Sequence, residues 1–168
     1  MDTSTHTQDR HTGQEPPLAL YVHWPFCVSK CPYCDFNSHV RETVDHELWC
    51  RALLTDIAHE ADQLQGRTIG SIFFGGGTPS LMPPATVASL IQAAEELWGF
   101  TNNVEITLEA NPSSVEAARF ADLAAAGVNR VSLGLQALDD AALAFLGRAH
   151  SVQEGLSALD TAQAIFKR

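Results

Sequence analysis

Short apolar runs alternate with helical patterns along this chain. The apolar runs lie at residues 20–23, 71–74, 104–108 and 131–135. Between the first two runs, residues 45–64 carry apolar side chains at helical spacing on one face, and these are Cys50, Leu53, Leu54, Ile57, Ala61 and Leu64. Strands that alternate with helices in this way predict a parallel sheet built from βα units.

Proline marks the start of a second helix. Pro83 and Pro84 stand at that start because proline is tolerated in the first turn of a helix. The apolar side chains that follow repeat at helical spacing and predict a buried stripe. The stripe consists of Val87, Leu90, Ile91, Ala94, Leu97 and Trp98.

Capping-box patterns mark two further helix starts. Ser113 with Glu116 begins a third helix, which Gly127 ends. Ser151 with Glu154 begins a last helix, which we expect to continue to the end of the chain. Four βα units cannot close a barrel, and the fourth strand would present a bare sheet edge. An open doubly wound sheet can exist with four strands, whereas a closed or nearly closed barrel cannot. We therefore expect an α/β fold with a parallel sheet, truncated after about four βα units of a longer protein.

Composition narrows the class of protein. The chain has 168 residues, with 45% apolar and 18% charged side chains, which is typical of one globular domain. Its formal net charge of −10 argues against nucleic-acid binding, because the neutralisation of phosphates requires a basic face. Residues 1–17 are polar and are predicted to be a disordered tail, which leaves residues 18–168 as the folded core.

The expected compartment follows from the same pattern. The tail contains no apolar signal-peptide core, and no stretch is apolar for long enough to cross a membrane. We therefore expect a cytoplasmic protein without a transmembrane segment. Its four cysteines should be reduced there, so they are expected to be metal ligands or core thiols.

Three cysteines within eight residues carry the clearest chemistry. Cys27, Cys31 and Cys34 form a CxxxCxxC loop shortly after the first apolar run. Three soft thiolates suit a [4Fe–4S] cluster with one open iron, where a small molecule can bind. Zinc is the main alternative, with His39 or His23 as a fourth ligand. An inert trio of thiols is the third interpretation.

Glycine-rich and polar segments follow the second and third predicted strands. The run around Gly76, Gly77 and Thr78 allows a ligand to approach the backbone closely. Glu109 offers a carboxylate that can accept hydrogen bonds from a diol such as ribose. Ligands bind at the carboxyl ends of parallel strands, so we expect these residues near the cysteine loop. Their alternatives are an ordinary turn and a solvated strand-end charge.

Four further side chains are weaker candidates. Gln136, after the fourth strand, offers both a donor and an acceptor, and Arg148 can hold a carboxylate with two parallel hydrogen bonds. The alternative for both is an ordinary polar surface group. Tyr21 on the first strand and Tyr33 inside the cysteine loop can cover an adenine ring or pack in the core.

From residue 18 to residue 150 these segments together resemble the radical S-adenosylmethionine (SAM) superfamily. Within it the chain is similar to the oxygen-independent coproporphyrinogen oxidase-like group. The motifs that carry the resemblance are Leu-Tyr-Val-His-Trp-Pro-Phe-Cys, Phe-Gly-Gly-Gly-Thr-Pro-Ser, Leu-Glu-Ala-Asn-Pro and Arg-Val-Ser-Leu-Gly-Leu-Gln. The resemblance implies a partial parallel (β/α) barrel of radical SAM type. It also implies cleavage of SAM by an electron from the cluster, and hence an electron donor as partner.

The resemblance also implies a role for each matched residue. Cys27, Cys31 and Cys34 match the three cluster ligands. The residues that match contacts to SAM are Tyr21, Tyr33, Gly76, Gly77, Thr78 and Glu109. Gln136 and Arg148 match positions that the oxidase uses for a second SAM molecule.

One segment separates the branches of this group. The oxidases follow their third cysteine with Gly-Cys, whereas this chain has Asp-Phe-Asn-Ser-His at 35–39. That run resembles HemW-type heme chaperones, which bind heme and pass it to acceptor proteins while retaining cluster and SAM. We therefore expect a heme chaperone with heme as cargo and heme-acceptor proteins as partners. The alternatives are a coproporphyrinogen III oxidase and a zinc-stapled binding module.

Overall fold

The computed structural model describes residues 15–167 and contains one main parallel sheet. The strands are β1 Leu18–Trp24, β2 Phe26–Cys27, β3 His39–Val40, β4 Ile69–Gly76, β5 Phe100–Ala110 and β6 Arg130–Leu133. The main sheet has the order β1-β4-β5-β6, and every neighbouring pair is parallel. β2 and β3 form a second, two-stranded parallel sheet, and the cysteine loop lies between them in the sequence. The predicted α/β fold with a parallel sheet is confirmed.

Helices connect the strands of the main sheet and also follow its last strand. They are α1 His46–Gln63, α2 Pro84–Trp98, α3 Ser114–Ala117, α4 Phe120–Ala125, α5 Asp140–Phe145 and α6 Val152–Ile165. The Asp45 side chain accepts a hydrogen bond from the Leu48 N–H group and so begins α1 at the predicted place. At α6, Ser151 and Glu154 form both hydrogen bonds of the predicted capping box.

The strand register brings the strand ends to one edge of the sheet. Trp24 at the end of β1 pairs with Gly76 at the end of β4. Ala110 at the end of β5 pairs with Leu133 at the end of β6. The segments that follow these strands therefore meet, as expected for parallel strands.

The core lies between the sheet and the helices. Phe74 on β4 and Leu108 on β5 are both fully buried, as are Val87 and Leu90 on α2. Burial of each such side chain contributes about 1.5–3 kcal/mol relative to exposure. Side chains along a strand alternate between the two faces of the sheet. Phe73 and Glu109, which are next to Phe74 and Leu108 in the sequence, therefore lie on the opposite face, where a binding site can form.

The prediction of one continuous helix from Ser113 to Gly127 is wrong. The structure contains two short helices, α3 and α4, and the break lies at residues 118–119. At the break the Arg119 guanidinium donates a 2.7 Å hydrogen bond to the Met82 carbonyl oxygen, and Phe120 is fully buried. These tertiary contacts outweigh the local helical pattern.

Two other details of the helices differ from the prediction. Leu97 was expected to be buried, but it is 48% exposed, because Ala94 and Trp98 occupy the buried face of α2. The last helix was expected to continue to the end of the chain, but it ends at Ile165. Phe166 leaves the helix with an extended backbone and packs edge-on against Phe120, with ring centroids 5.7 Å apart.

The predicted tail at 1–17 lies mostly outside the described residues, which begin at Glu15. The Glu15 carboxylate forms a 2.8 Å ion pair with Arg67, and the same guanidinium donates to the Pro16 carbonyl oxygen at 2.6 Å. Within residues 15–167, no helix combines the length and the apolar character needed to span a membrane.

Candidate functional site

The three cysteine thiols border one cavity at the carboxyl ends of the strands. Its volume is about 200 Å³. Ten of the predicted site residues line it, and these are Cys27, Cys31, Tyr33, Cys34, Gly76, Gly77, Thr78, Glu109, Gln136 and Arg148. Tyr21 is the predicted residue that does not line this cavity. The structure therefore brings the cysteine loop and the strand ends together, as the sequence predicted.

The glycine segment holds the cysteine loop through its backbone. The Gly77 N–H group donates to the Trp24 carbonyl oxygen at 2.7 Å, and the Thr78 N–H group donates to the Phe26 carbonyl oxygen at 2.8 Å. A Cβ atom on Gly77 would lie only 2.6 Å from the Phe26 oxygen and 3.0 Å from Cys27 Sγ. A glycine is required here because the two backbone segments approach so closely.

Each thiol of the loop lies near a polar hydrogen. The Thr78 hydroxyl donates to Cys27 Sγ at 3.5 Å, and Arg148 Nη1 donates to Cys31 Sγ at 3.5 Å. Ser38 Oγ lies 4.0 Å from Cys34 Sγ. Hydroxyl and guanidinium groups in such positions can donate hydrogen bonds to the sulfur ligands of a cluster.

His23 links β1 to the segment after the third cysteine. Its Nε2 atom lies 3.0 Å from the Asn37 carbonyl oxygen, so Nε2 carries the proton and donates. Its Nδ1 atom therefore accepts from the Tyr21 hydroxyl, also at 3.0 Å. Both ring nitrogens of His23 are engaged, which matches an ordinary strand histidine. His39, the other candidate fourth zinc ligand, is exposed on β3.

Tyr21 lies beside the cavity on β1. Its ring stacks on Phe73 with centroids 6.2 Å apart, and the side chain remains 56% exposed. Burial of the hydroxyl, followed by the negative charge of Glu109, raises the pKa of Tyr21. Its contact with SAM stays a prediction.

Glu109 projects from the end of β5 toward the glycine segment. Its Oε2 atom accepts a hydrogen bond from the Gly76 N–H group at 3.2 Å. Gly76 has φ of +117° and is packed against the His23 ring, a conformation that favours glycine. The carboxylate is thus oriented along the cavity wall, where it can accept hydrogen bonds from a bound hydroxyl group.

Arg148 crosses the cavity between the cysteine loop and the strand ends. Its Nη2 atom donates to Asn111 Oδ1 at 2.8 Å and to the Gly134 carbonyl oxygen at 2.9 Å. Its Nη1 atom donates to the Tyr33 hydroxyl at 3.4 Å as well as to Cys31. Burial raises the pKa of Tyr33, an effect that Arg148 opposes and Cys31 reinforces.

Gln136 lines the same cavity with an unusual backbone. Its φ of +65° is left-handed, and it is the non-glycine residue with positive φ in the described part of the chain. Such a conformation costs about 1–3 kcal/mol and is concentrated at binding and active sites. The strain directs this residue toward the cavity that the sequence assigned to it.

Sequence reasoning missed the residue that connects these groups. Asn111 Nδ2 donates to Thr78 Oγ1 at 3.3 Å, while Asn111 Oδ1 accepts from Arg148. Its backbone N–H donates to Glu116 Oε2 at 2.8 Å. The position of Asn111 directly after β5 is the same signal that identified Glu109, so it was available in the sequence.

Glu116 was predicted to complete a capping box, and the structure gives its carboxylate a different role. The Ser113 hydroxyl accepts from the Glu116 N–H group at 3.2 Å, which is half of the box. The carboxylate itself is buried and accepts from the Ser80 hydroxyl and the Asn111 N–H group. It therefore joins the turn after the glycine segment to the end of β5.

The residues at this cavity fit an iron–sulfur cluster. All three thiols are free of disulfide bonds, each lies near a polar donor, and Gly77 leaves space beside Cys27 that a Cβ atom would fill. Soft thiolates are the ligands that such clusters use. Within residues 15–167, no three His, Cys, Asp or Glu side chains converge on the position of a single metal ion.

Comparison with known proteins identifies the family of this chain. The family model of the radical SAM superfamily matches residues 21–168. The mitochondrial radical S-adenosyl methionine domain-containing protein 1 of Bos taurus is 47% identical over 149 residues, which are 88% of this chain and 34% of that protein. The heme chaperone HemW of Escherichia coli K12 is 44% identical over 154 residues, which are 91% of this chain and 41% of that protein.

A solved structure shows the same fold. The coproporphyrinogen III oxidase HemN of Escherichia coli, described as a radical SAM enzyme, matches with a TM-score of 0.80 and 31% identity. The match covers 90% of this chain and 35% of the oxidase. This chain therefore spans between 34% and 41% of the length of these three proteins. Because the family model covers nearly all of its described residues, the chain belongs to the radical SAM superfamily.

Proposed function

We propose that this chain is part of a heme chaperone that holds a [4Fe–4S] cluster and SAM and delivers heme to acceptor proteins. The observation that carries the proposal is the cavity in which three thiols lie beside the glycine segment and Glu109. The 44% identity to a protein named as a heme chaperone supports the choice of cargo.

The cluster would be held by Cys27, Cys31 and Cys34. When bound, the cluster and SAM together supply one-electron cleavage of a sulfonium. The chain contributes hydrogen bonds to two of these sulfur atoms, from Thr78 and Arg148. It also contributes a wall that limits access of water to the thiols, because Thr78 is buried and Arg148 is half-buried.

SAM would lie along the glycine segment. Gly76 and Gly77 let a ligand approach the backbone without interference from side chains. Glu109 would accept hydrogen bonds from the ribose hydroxyls, and the Gly76 N–H group holds the carboxylate in place for this. Tyr33 lies between two of the cysteines and would cover part of the nucleotide, and Gln136 lines the same cavity.

Arg148 is better explained as a partner of the cluster loop than as a clamp for a second SAM. Both of its terminal nitrogens already have protein acceptors, namely Cys31 and Tyr33 on one and Asn111 and Gly134 on the other. A carboxylate would have to displace these contacts. We therefore assign Arg148 to the loop.

A coproporphyrinogen III oxidase is the second candidate, since the HemN structure matches with a TM-score of 0.80. The segment that differs from the oxidases, residues 35–39, argues for the chaperone because it is built into the site. The Asn37 carbonyl oxygen accepts from His23, and the buried Ser38 lies beside Cys34.

The test starts with anaerobic reconstitution of the full protein with iron and sulfide. We expect a [4Fe–4S] signal in electron paramagnetic resonance spectra of the reduced protein, a change in that signal when SAM is added, and saturable heme binding. Cys31→Ser should abolish cluster assembly. The matched control Cys50→Ser should not, because Cys50 lies on α1, away from the cavity.

Each rival has its own outcome. A protein that contains zinc without iron or sulfide would support the zinc-stapled module. Formation of protoporphyrinogen from coproporphyrinogen III, SAM and a reductant, above the cluster-free control, would support the oxidase. A cluster that responds to SAM without any saturable heme binding would remove the chaperone function and leave the family assignment intact.

A further inference from the structure

We infer that Asn111 is a positioning residue that controls the hydrogen bonds received by two cluster thiolates, and through them the reduction potential of the cluster. The inference rests on the proposed function, since it requires a cluster on the cysteine loop. It concerns a side chain that contacts neither thiol directly. Its argument follows from the donor and acceptor chemistry of three connected residues.

The orientation of the Asn111 amide is determined by Arg148. A guanidinium has donors and no acceptor, so the atom of Asn111 that lies 2.8 Å from Arg148 Nη2 must be the carbonyl oxygen Oδ1. The amide nitrogen Nδ2 consequently points to Thr78 Oγ1, 3.3 Å away, and donates to it. The Asn111 side chain thus accepts a hydrogen bond from Arg148 and donates one to Thr78.

This arrangement directs both partners toward sulfur. Because the Thr78 oxygen already accepts from Asn111, its own proton is free to donate to Cys27 Sγ at 3.5 Å. Because Arg148 Nη2 is held by Asn111 together with the Gly134 carbonyl oxygen, its Nη1 atom is held near Cys31 Sγ at 3.5 Å. Through Thr78 and Arg148, Asn111 is therefore connected to the thiols of Cys27 and Cys31, which belong to a loop distant in the sequence.

The backbone of Asn111 is anchored on its other side. Its N–H group donates at 2.8 Å to Glu116, a carboxylate that is 6% exposed and also bonded to the Ser80 hydroxyl. A buried, hydrogen-bonded carboxylate is a rigid support, because leaving it unsatisfied is costly. The backbone of Asn111 is therefore held in place, and its side-chain bonds to Thr78 and Arg148 restrict the rotamer.

Hydrogen bonds to the sulfur ligands are one of the terms that set the potential of an iron–sulfur cluster. They stabilise the more negative, reduced state, so their loss moves the potential to more negative values. Removal of the Asn111 amide should disturb both the Thr78 and the Arg148 donor. The expected shift is larger than that produced by removal of the Thr78 donor alone.

The experiment measures the midpoint potential of the reconstituted full protein by redox titration without SAM. Asn111→Ala should lower the potential more than Thr78→Val, which removes only one of the two donors. Asn111→Asp should lower it as well, because a carboxylate is an acceptor only and takes the Thr78 proton away from Cys27. In the Thr78→Val background, Asn111→Asp should lower it by less than in the wild type.

Asn129 provides the matched control. Its side chain also bridges two groups, accepting from the Ile106 N–H group and donating to the Val104 carbonyl oxygen, both at 2.9 Å, but it lies outside the cavity. Asn129→Ala should leave the potential unchanged. An equal shift in this variant would mean that the potential follows general loosening of the fold, and would overturn the inference.

The outcomes separate the inference from the proposed function. If the wild-type protein assembles no cluster, the proposed function fails. If the wild type assembles a cluster and its potential is the same in the Asn111 variants, only the inference fails. A shift of equal size for Asn111→Asp in both backgrounds would show an effect of charge alone and would overturn it. The inference would also be overturned if the Asn111→Ala and Asn111→Asp proteins fold but both lose the cluster. The role proposed for Asn111 is to set the reduction potential of the cluster, not to hold the cluster in the protein.

Discussion

Replacement of Gly77 by alanine tests the close contact between the glycine segment and the cysteine loop. The added Cβ atom would start 2.6 Å from the Phe26 carbonyl oxygen, whereas an ordinary contact begins at 3.4 Å. The Phe26 peptide cannot move away freely, because its oxygen accepts a 2.8 Å hydrogen bond from the Thr78 N–H group. The clash therefore falls on backbone that carries Cys27.

The magnitude follows from two opposing terms. Overpacking of this kind costs about 1–3 kcal/mol. The smaller conformational freedom of alanine in the unfolded chain offsets about 0.4–1 kcal/mol of this. The expected net loss in the free energy of unfolding is roughly 1–2 kcal/mol. For a chain of this size, that loss lowers the midpoint temperature by roughly 2–8 °C.

The assay is urea unfolding of the cluster-free protein, so that the result is independent of bound iron, followed by iron analysis after reconstitution. Gly134→Ala is the matched control. Its Cβ atom would meet Gln136 Nε2 at 3.1 Å, which is the far end of a flexible side chain. We expect a smaller loss of stability there. A Gly77→Ala protein as stable as the wild type, with full iron content, would refute the steric argument.

Three further predictions concern the surroundings of the site and the last helix. Glu116→Gln should lower the free energy of unfolding by about 1–3 kcal/mol, because a buried charged acceptor becomes a neutral one; the exposed Glu95→Gln should leave it unchanged. Burial lowers the pKa of His150, so the unfolded chain gains a proton more readily than the folded chain as the pH falls below 6.5, and stability decreases. Unfolding measured between about pH 7.5 and 5.5 should therefore show a smaller decrease for His150→Gln than for the wild type. Ser151→Ala should lower the free energy of unfolding by about 1 kcal/mol through loss of the helix cap, as measured by thermal melts. In the same measurement, Ser157→Ala, within α6, should be near neutral.

The strands and the site edge could be predicted because they depend on short-range patterns. Three predicted apolar runs lie within strands of the main sheet, and the fourth, at 131–135, overlaps β6, which ends at Leu133. Parallel strands bring their carboxyl ends to one edge whatever the details of packing. The position of the cysteine loop at that edge then followed from its place after β1. Ten predicted site residues consequently line one cavity.

The contacts of Glu116 could not be predicted in this way. A capping-box pattern is local, whereas the carboxylate in the structure reaches Ser80, 36 positions earlier in the chain. The same competition divides the predicted third helix, where Arg119 prefers the Met82 carbonyl oxygen. Local patterns indicate which residues can make such bonds, but the tertiary partner decides which of them form.

The hydrogen bond between Arg148 and Cys31 joins positions separated by 117 residues. During translation the cysteine loop leaves the ribosome long before the arginine is made. At about 5–20 residues per second, the interval is roughly 6–23 s. The nascent loop therefore exposes thiols that still lack this donor. The hydrogen-bond environment of the loop is consequently completed late in synthesis, once the segment that carries Arg148 has emerged.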